Sequence, residues 1–147
     1  MKILLDADGS PVRKEVVKVA EAFSIPLIII SNVNHMIDEP YGTIIQVDQS
    51  QDSADYKIIS MAKQHDLIIT QDYGLASLAL SKNAYAMHQD GWFFTENNIE
   101  TLLSQRHLAQ KVRQSKGRIK GNKKRLASQN ATFEKALKQF IQERISR

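Results

Sequence analysis

The sequence predicts an α/β fold, a three-layer α/β/α sandwich with a mainly parallel sheet. Short apolar segments with strand character alternate along the chain with segments of helical periodicity, which is typical of a parallel sheet covered by helices on both faces. The run Leu27-Ile28-Ile29-Ile30 is continuously apolar and mostly β-branched, as expected for a strand buried on both of its faces. With 147 residues, 42% of them hydrophobic, the chain is long enough for one such domain and its core.

Five strands are predicted, each from a short apolar run. The first ends at Asp6, the third ends at Asp48, and the fourth leads to Asp72. The predicted strands span residues 3–5, 27–30, 43–47, 67–70 and 84–87.

Three helices are predicted between these strands. Ser10 followed by Pro11 is typical of an N-cap and a first helical position, so the first helix is expected to begin there and to end before Pro26. The spacing of apolar residues predicts a second helix over residues 53–65 and a third around residues 75–80.

Two further helices are predicted in the C-terminal part of the chain. Thr95 is expected to cap the amide of Asn98 and to start a helix that runs to about residue 112. A basic segment follows over residues 113–128, and a last helix over residues 131–145 packs on or beside the rest of a single domain, residues 1–147. The side chains expected to face inward from this last helix are Phe133, Leu137, Phe140 and Ile141.

Composition excludes several kinds of site. The chain contains no cysteine, so it holds no disulfide, no thiolate zinc site and no thiol nucleophile. The apolar run Ile3-Leu4-Leu5 is too short for a signal peptide, and no stretch approaches the roughly 18–20 apolar residues of a membrane span. We therefore expect a cytoplasmic protein without a membrane partner.

Charge is distributed unevenly along the chain. Residues 1–105 contain 7 Lys/Arg and 14 Asp/Glu, whereas residues 106–147 contain 13 Lys/Arg and 2 Asp/Glu. The net charge of +4 therefore combines an acidic body with a basic C-terminal section. This pattern favours carboxylates that hold cations and a basic section that holds a polyanion, although a solvated basic section that only balances the body is the alternative.

Several aspartates follow the predicted strands. The carboxyl ends of neighbouring parallel strands lie about 4.8 Å apart at one edge of the sheet, where ligands bind in such folds. Carboxylates gathered there repel one another unless a cation or a proton intervenes, and a site made of oxygen ligands favours Mg²⁺ or Mn²⁺ over zinc. The aspartates in such positions are Asp6, Asp8, Asp48, Asp52, Asp55 and Asp72.

A structural interpretation of these aspartates remains open. Aspartate is common at strand ends and helix starts because it caps helices and forms turns well. Asp38 and Asp66 lack the strand-end placement, and we interpret both as surface loop residues.

Four sequence motifs resemble those of the YaiI/YqxD family of uncharacterised bacterial proteins. Residues 6–12, Asp-Ala-Asp-Gly-Ser-Pro-Val, resemble its opening motif, and residues 52–55 and 68–76 match its second and third motifs. Gly91 falls in the fourth motif, and the section from Arg106-His107 to Lys120-Gly121 follows the C-terminal pattern. The resemblance covers essentially the whole chain. Asp90 stands where the family often has arginine, and we interpret it as a turn residue.

That family is in turn similar to PIN-like nucleases, so the resemblance implies a PIN-like domain that hydrolyses phosphodiester bonds. It also implies Mg²⁺ or Mn²⁺ as cofactor, RNA or DNA as partner, and a homodimer. Carried over by position, the implied catalytic residues are Asp6, Asp52, Asp55 and Asp72, and the implied metal ligands are Asp6, Asp8, Asp55 and Asp72.

The basic section is the candidate for binding nucleic acid. It has no acidic residue and no aromatic residue between positions 111 and 125, so contacts to phosphates are expected rather than stacking on bases. A solvated charge run is again the alternative. The candidate residues are Lys111, Arg113, Lys116, Arg118, Lys120, Lys123, Lys124 and Arg125.

Two rival functions fit parts of the sequence. The segment Ile3-Leu4-Leu5-Asp6-Ala7-Asp8-Gly9 resembles the first motif of haloacid-dehalogenase-type phosphatases, in which the first aspartate is the nucleophile, and Ser31 fits the second motif. An immediate helix after Pro11 and the lack of a convincing late lysine disfavour this phosphatase. The other rival is a non-catalytic nucleic-acid-binding protein whose aspartates are only caps.

Overall fold

The computed structural model describes residues 1–32, 37–49, 53–105 and 124–145. Six strands and five helices lie within these ranges. The strands are β1 (Ile3–Asp6), β2 (Leu27–Asn32), β3 (Thr43–Val47), β4 (Leu67–Ile69), β5 (Tyr85–Met87) and β6 (Phe93–Phe94). The helices are α1 (Arg13–Ala22), α2 (Ser53–Met61), α3 (Tyr73–Ser81), α4 (residues 96–105) and α5 (Ala127–Ile145).

The strands form one sheet in the order β3-β2-β1-β4-β5-β6. Every neighbouring pair is parallel except β5 and β6, which are antiparallel. The first strand is therefore central, and its Leu4 pairs with Ile28 of β2 on one side and with Ile68 of β4 on the other. The predicted α/β class with a mainly parallel sheet is confirmed.

One face of the sheet packs against α1 and α5. Successive side chains of a strand point to opposite faces, and Leu5, Ile29 and Ile69 point to this one, where they are fully or almost fully buried. The helices cover them with apolar side chains from both elements. These are Val16, Val19 and Ala20 of α1 and Phe133, Leu137, Phe140 and Ile141 of α5.

The opposite face packs against α2, α3 and α4. Here the alternate strand residues Leu4, Ile30 and Ile68 are buried. The helical residues that cover them are Ile58 of α2, Leu75, Ala76 and Ala79 of α3, and Ile99 of α4. Two cores separated by one sheet make the three layers that the sequence predicts.

The first helix begins later than predicted. α1 starts at Arg13, because Ser10 closes a turn instead of capping the helix. The amide of Ser10 donates to Ala7 O at 3.0 Å, and the amide of Val12 lies 3.4 Å from Ser10 Oγ. Gly9 has a φ of +73°, a left-handed conformation that favours glycine. Serine serves turns as readily as caps, so its presence did not fix the helix start.

The fourth and fifth helices agree with prediction in their main features. The amide of Asn98 donates to Thr95 Oγ1 at 3.2 Å, and Asn98 Oδ1 accepts from Thr95 N at 2.9 Å, so the predicted cap is confirmed. α5 begins at Ala127, a turn earlier than predicted. The predicted helical residues 106–112 lie outside the described residues. A membrane-spanning helix is absent from the described part of the chain.

The β5–β6 hairpin was not predicted. Its loop is closed by His88 N, which donates to Trp92 O at 2.8 Å, and by Gly91 N, which donates to His88 O at 3.0 Å. Asp90 lies in this turn, as predicted. Gly91 has a φ of +95°, and a Cβ atom there would lie 3.3 Å from Thr132 O of α5. The hairpin therefore lies directly against the last helix.

Asp66 is buried, so its interpretation as a surface residue is wrong; Asp38 is exposed, as predicted. Asp66 Oδ1 accepts from the amide of Lys2 at 3.0 Å, and Oδ2 accepts from Lys2 Nζ at 2.5 Å and from the amide of Lys63 at 2.8 Å. This ion pair joins the residues that precede β1 and β4.

Candidate functional site

The strand order creates a crevice between β1 and β4. The connections from β1 lead to β2 and β3 on one side of the sheet, whereas β4, β5 and β6 lie on the other side. Ligands in open parallel sheets bind outside the carboxyl ends of the strands at such a reversal. Asp6 is the last residue of β1, and Thr70 directly follows β4. The side chains of Asp6 and Thr70 therefore lie at the crevice between the carboxyl ends of β1 and β4.

Thr70 links two of the predicted site aspartates. Its Oγ1 donates to Asp6 Oδ2 at 2.8 Å and accepts from the amide of Asp72 at 2.9 Å. Thr70 is only 3% exposed, so the hydroxyl is fixed between the two groups. This arrangement holds the carboxylate of Asp6 beside the start of α3.

Asp72 caps α3. Its Oδ1 accepts from the amides of Gly74 at 2.8 Å and Leu75 at 3.2 Å. Asp72 therefore has the structural role of a helix cap, which the sequence analysis gave as the alternative to metal binding. These hydrogen bonds satisfy two amides at the start of the helix that have no partner within it.

Asp8 lies in the turn that follows β1. Its Oδ2 accepts from the amide of Asn32, at the end of β2, at 2.9 Å. Asp6 and Asp8 line a narrow cleft that has no room for a water molecule as it stands, and we call it the carboxylate cleft. Larger grooves lie elsewhere, beside β3 and beside α1, but they contain none of the strand-end residues of β1 and β4. The carboxylate cleft is lined by Asp6, Asp8, Ser10, Ile69, Thr70, Gln71 and Gln89.

The surroundings of Asp6 disfavour its charged form. Burial raises the pKa of Asp6 to about 6, the hydrogen bond from Thr70 acts in the opposite direction, and the charges of Asp72 and Asp8 raise it further. The three carboxylates are therefore close enough to repel one another. A cation in the cleft would relieve this repulsion and favour the ionised form of Asp6.

The remaining predicted aspartates follow β3 or lie at the start of α2. Asp55 lies in the first turn of α2, and Asp48 follows the edge strand β3, where its carboxylate accepts a hydrogen bond from Ser53 Oγ. β2 separates β3 from β1, a distance of about two strand spacings, roughly 10 Å. Asp48 is therefore not a neighbour of Asp6. Asp52 lies outside the described residues.

The donor set suits a hard cation, but it is not preassembled. The cleft offers carboxylate, hydroxyl and amide oxygens, which are ligands that Mg²⁺ and Mn²⁺ prefer. Among the residues that the structure describes, no group of three or more His, Cys, Asp or Glu side chains is arranged to hold a metal ion. Asp6, Asp8, Asp55 and Asp72 would therefore have to move closer together around an ion.

Arg125, one of the predicted nucleic-acid-binding residues, makes hydrogen bonds within the protein. Its Nη1 donates to Asp90 Oδ1, its Nη2 to Gln89 O and its Nε to Asn130 Oδ1, each at 2.6 Å. All three guanidinium nitrogens are thus used inside the protein. Lys124, the preceding residue, is exposed as predicted. The other candidates, Lys111, Arg113, Lys116, Arg118, Lys120 and Lys123, lie outside the described residues.

Two residues of the site were missed at the sequence level. Thr70 stands two residues before Asp72, a spacing that allows its hydroxyl to accept from the Asp72 amide, and this signal was available. Gln89 reaches the cleft only because the hairpin loop turns back towards β1 and β4. No local pattern predicts that placement.

Comparison with known proteins identifies relatives along nearly the whole chain. The sequence model of the YaiI/YqxD family, which is described as a family of uncharacterised bacterial proteins, matches residues 4–143. A UPF0178 protein of Alkaliphilus oremlandii is 41% identical over 145 residues, which cover 99% of this chain and 94% of that protein. A UPF0178 protein of Natranaerobius thermophilus is 44% identical over 141 residues, which cover 96% of each. No solved structure matches the chain.

Proposed function

This chain belongs to the YaiI/YqxD family, and we propose that it is a metal-dependent nuclease that hydrolyses phosphodiester bonds in RNA or DNA. The observation on which the proposal rests is the position of Asp6. Its carboxylate lies at the carboxyl end of the central strand, lines a cleft together with Asp8, and is joined through Thr70 to the start of the helix that Asp72 caps.

The proposed ligands of the metal are Asp6, Asp8, Asp55 and Asp72, with Asp52 as a further catalytic carboxylate. A bound Mg²⁺ or Mn²⁺ supplies charge stabilisation on the phosphoryl oxygens and lowers the pKa of a water molecule. The chain itself contributes orientation. Thr70 fixes the direction of Asp6 Oδ2, and the amides of Gly74 and Leu75 fix the position of Asp72 Oδ1. Because the pKa of Asp6 is raised to about 6 without an ion, binding of a cation below that pH would displace a proton from this carboxyl group.

Substitution of the two linked aspartates tests the proposal. Asp6→Asn and Asp72→Asn keep the size of each side chain, and asparagine at position 72 still caps α3. We expect both variants to fold, as judged by circular dichroism, and to lose Mn²⁺-dependent cleavage of single-stranded and structured RNA and DNA. Asp38→Asn is the matched control, because Asp38 is exposed and does not line the carboxylate cleft. Undiminished cleavage by Asp6→Asn would contradict the proposal, as would an inactive wild-type protein under all metals and substrates.

Binding without catalysis is the second candidate, and the hydrogen bonds of Asp72 favour it. Asp72 Oδ1 is already engaged by two helix amides and Asp8 Oδ2 by the amide of Asn32, as structural caps would be. Salt-sensitive nucleic-acid binding that is indifferent to Mg²⁺ and to the double substitution Asp6→Asn and Asp72→Asn would select this function.

The phosphatase alternative is weakened by the position of Ser31. Asp6 pairs with Ile30 in the sheet, so the next residue, Ser31, points to the opposite face. Ser31 is also fully buried and does not line the carboxylate cleft. Trapping of an aspartyl-phosphate on Asp6 would nevertheless restore this function over the nuclease.

A further inference from the structure

The hairpin loop beside the carboxylate cleft contains a stacked pair of aromatic rings. The ring centroids of His88 and Trp92 are 4.4 Å apart with an angle of 11° between the planes. Trp92 also meets Phe94 edge-on at 4.7 Å, and Phe94 meets Tyr73 of α3 at 5.7 Å. We call His88 and Trp92 the aromatic pair.

The aromatic pair is held in place by its neighbours, and its tryptophan is partly exposed. His88 and Phe94 are buried, whereas Trp92 and Tyr73 are partly exposed. The orientation of His88 is fixed because its Nδ1 accepts from the amide of Asp90 at 3.0 Å. The partly exposed indole of Trp92 is therefore held in one orientation by the buried rings of His88 and Phe94. A preorganised aromatic surface lowers the entropic cost of stacking a planar ligand on it.

The same loop forms one wall of the carboxylate cleft. Gln89, the residue next to His88, lines the cleft together with Asp6 and Asp8. On the other side, Tyr73 directly follows Asp72. A chain-like ligand that passes over the cleft and along the hairpin would therefore meet the aromatic pair.

The residues that precede α5 lie against this loop. Arg125 is bound to Asp90 and to the carbonyl of Gln89, and its charge is paired with Asp90. The preceding residue, Lys124, is exposed and supplies a positive charge that can meet a phosphate. A partly exposed aromatic ring with a lysine close to it in the fold is a combination with which proteins bind single-stranded nucleic acid.

We propose that Trp92, supported by His88, stacks on a base of a single-stranded RNA or DNA whose backbone passes the carboxylate cleft. This proposal rests on the nuclease function above for the identity of the ligand, but it concerns binding alone. Base stacking accounts for a preference for single strands over duplexes, since the bases of a duplex are already stacked on one another. Phosphate contacts alone give no such preference.

Trp92 is the only tryptophan of the chain, so its fluorescence reports this contact directly. The wild-type protein is titrated in EDTA with oligo-dT, oligo-U and a duplex of equal length, while the anisotropy of a labelled oligonucleotide reports binding independently. We expect saturable quenching by the single strands and little by the duplex. Because EDTA removes divalent cations, the result does not depend on cleavage.

Substitutions at the same position provide the second measurement. We expect Trp92→Leu to weaken binding of the labelled single strand by roughly 5- to 150-fold, the effect of losing one stacked base. Trp92→Phe should retain most of the affinity. Leu78→Ala is the matched control, because Leu78 is a half-exposed apolar residue on α3. Its affinity should equal that of the wild type.

Three results would overturn the stacking proposal: no binding of single strands, binding without quenching, or equal affinity for single strands and duplex. If Trp92→Leu fails to fold, the titration of the wild type and the Trp92→Phe variant still decide the question. Quenching and single-strand preference in a protein that never cleaves nucleic acid would retain the stacking site and reject only the nuclease.

Discussion

Asp6 and Asp66 belong to the same sheet, but their surroundings act on them in opposite directions. Asp6 lies at the carboxyl ends of the strands, where burial and the charges of Asp72 and Asp8 raise its pKa to about 6. Asp66 lies at the opposite edge. Burial opposes its ionisation, but the hydrogen bonds and charge of Lys2 and the amide of Lys63 outweigh burial and lower its pKa. One carboxylate therefore destabilises the fold when it is charged, and the other stabilises it.

Asp6→Asn is expected to stabilise the protein at neutral pH. A folded-state pKa of about 6 against an ordinary value of 3.8 means that the wild type loses stability as the pH rises from about 4 to about 6. The total change is up to ~3 kcal/mol. Asparagine does not ionise, so this part of the pH dependence should disappear. Urea unfolding in EDTA between pH 3 and pH 8 measures it, and parallel curves for the two proteins would refute the expectation.

Asp66→Asn is expected to have the opposite effect. The lowered pKa of Asp66 means that its contribution is present above about pH 3.8 and is lost as the pH falls below that value. We expect a loss of about 1–3 kcal/mol at pH 7, because Lys2 and the Lys63 amide lose a charged partner. Unfolding curves for variant and wild type should converge near pH 2, and a constant difference down to that pH would contradict the mechanism.

At the scale of elements, polar contacts join the start of α5 to the rest of the domain. Arg125 joins the start of α5 to the β5–β6 loop through Asp90 and Gln89, and Asn130 extends the contact to Pro11 O at 3.0 Å. The same hydrogen bonds place the loop wall of the carboxylate cleft. Arg125 and Asn130 thus connect the start of α5 with the β5–β6 hairpin and with the turn before α1.

Arg125→Ala is therefore expected to destabilise the fold by about 1–3 kcal/mol, because it leaves partly buried acceptors unpaired. Arg125→Lys should recover only part of this loss, since an ammonium group cannot reproduce the three-directional contact of the guanidinium. Chemical denaturation measures stability, and hydrogen exchange of residues 127–130 locates the effect. Lys124→Ala, an exposed neighbour, is the control. If the Arg125→Lys variant were as stable as the wild type, charge rather than geometry would explain the contact.

The bounds of an element were predictable from the sequence where its terminal residues favour only one local structure. β3 was predicted with the bounds that the structure has, because Thr43–Val47 is a β-branched run between polar loops. The Ser10-Pro11 pair gave a wrong helix start because serine also closes turns. β6 contains only two residues, which is too short for any periodicity to be recognised.

At the scale of the whole molecule, α5 is a structural part of the domain. Phe133 is fully buried against the sheet residues of the α1 side. Phe133→Ala is expected to cost about 3–5 kcal/mol, because it removes apolar contacts and leaves a cavity. Thermal or urea unfolding measures the loss. Tyr56→Ala is the control, since Tyr56 is 78% exposed and should change stability by less than about 0.5 kcal/mol. Similar stability of both variants would show that α5 does not close this core.

The candidate site was predictable only in part from the sequence, because its completion depends on strand order. Strand-end aspartates can be read from the chain, but whether Asp48 or Asp72 lies beside Asp6 depends on which strand pairs with β1. The sheet order selects Asp72 and moves Asp48 to the edge. Gln89 and the partners of Arg125 depend on contacts distant in sequence, for which local residue patterns contain no information.

The position of the first strand has a consequence for synthesis on the ribosome. β4 is translated more than sixty residues after its neighbour β1, and α5, which covers one face of the sheet together with α1, is translated later still. A nascent chain that still lacks α5 therefore leaves part of the apolar face formed by Leu5, Ile29 and Ile69 uncovered. A product that ends before residue 127 retains this open apolar face, which makes it a substrate for chaperones and proteases rather than a stable shorter protein.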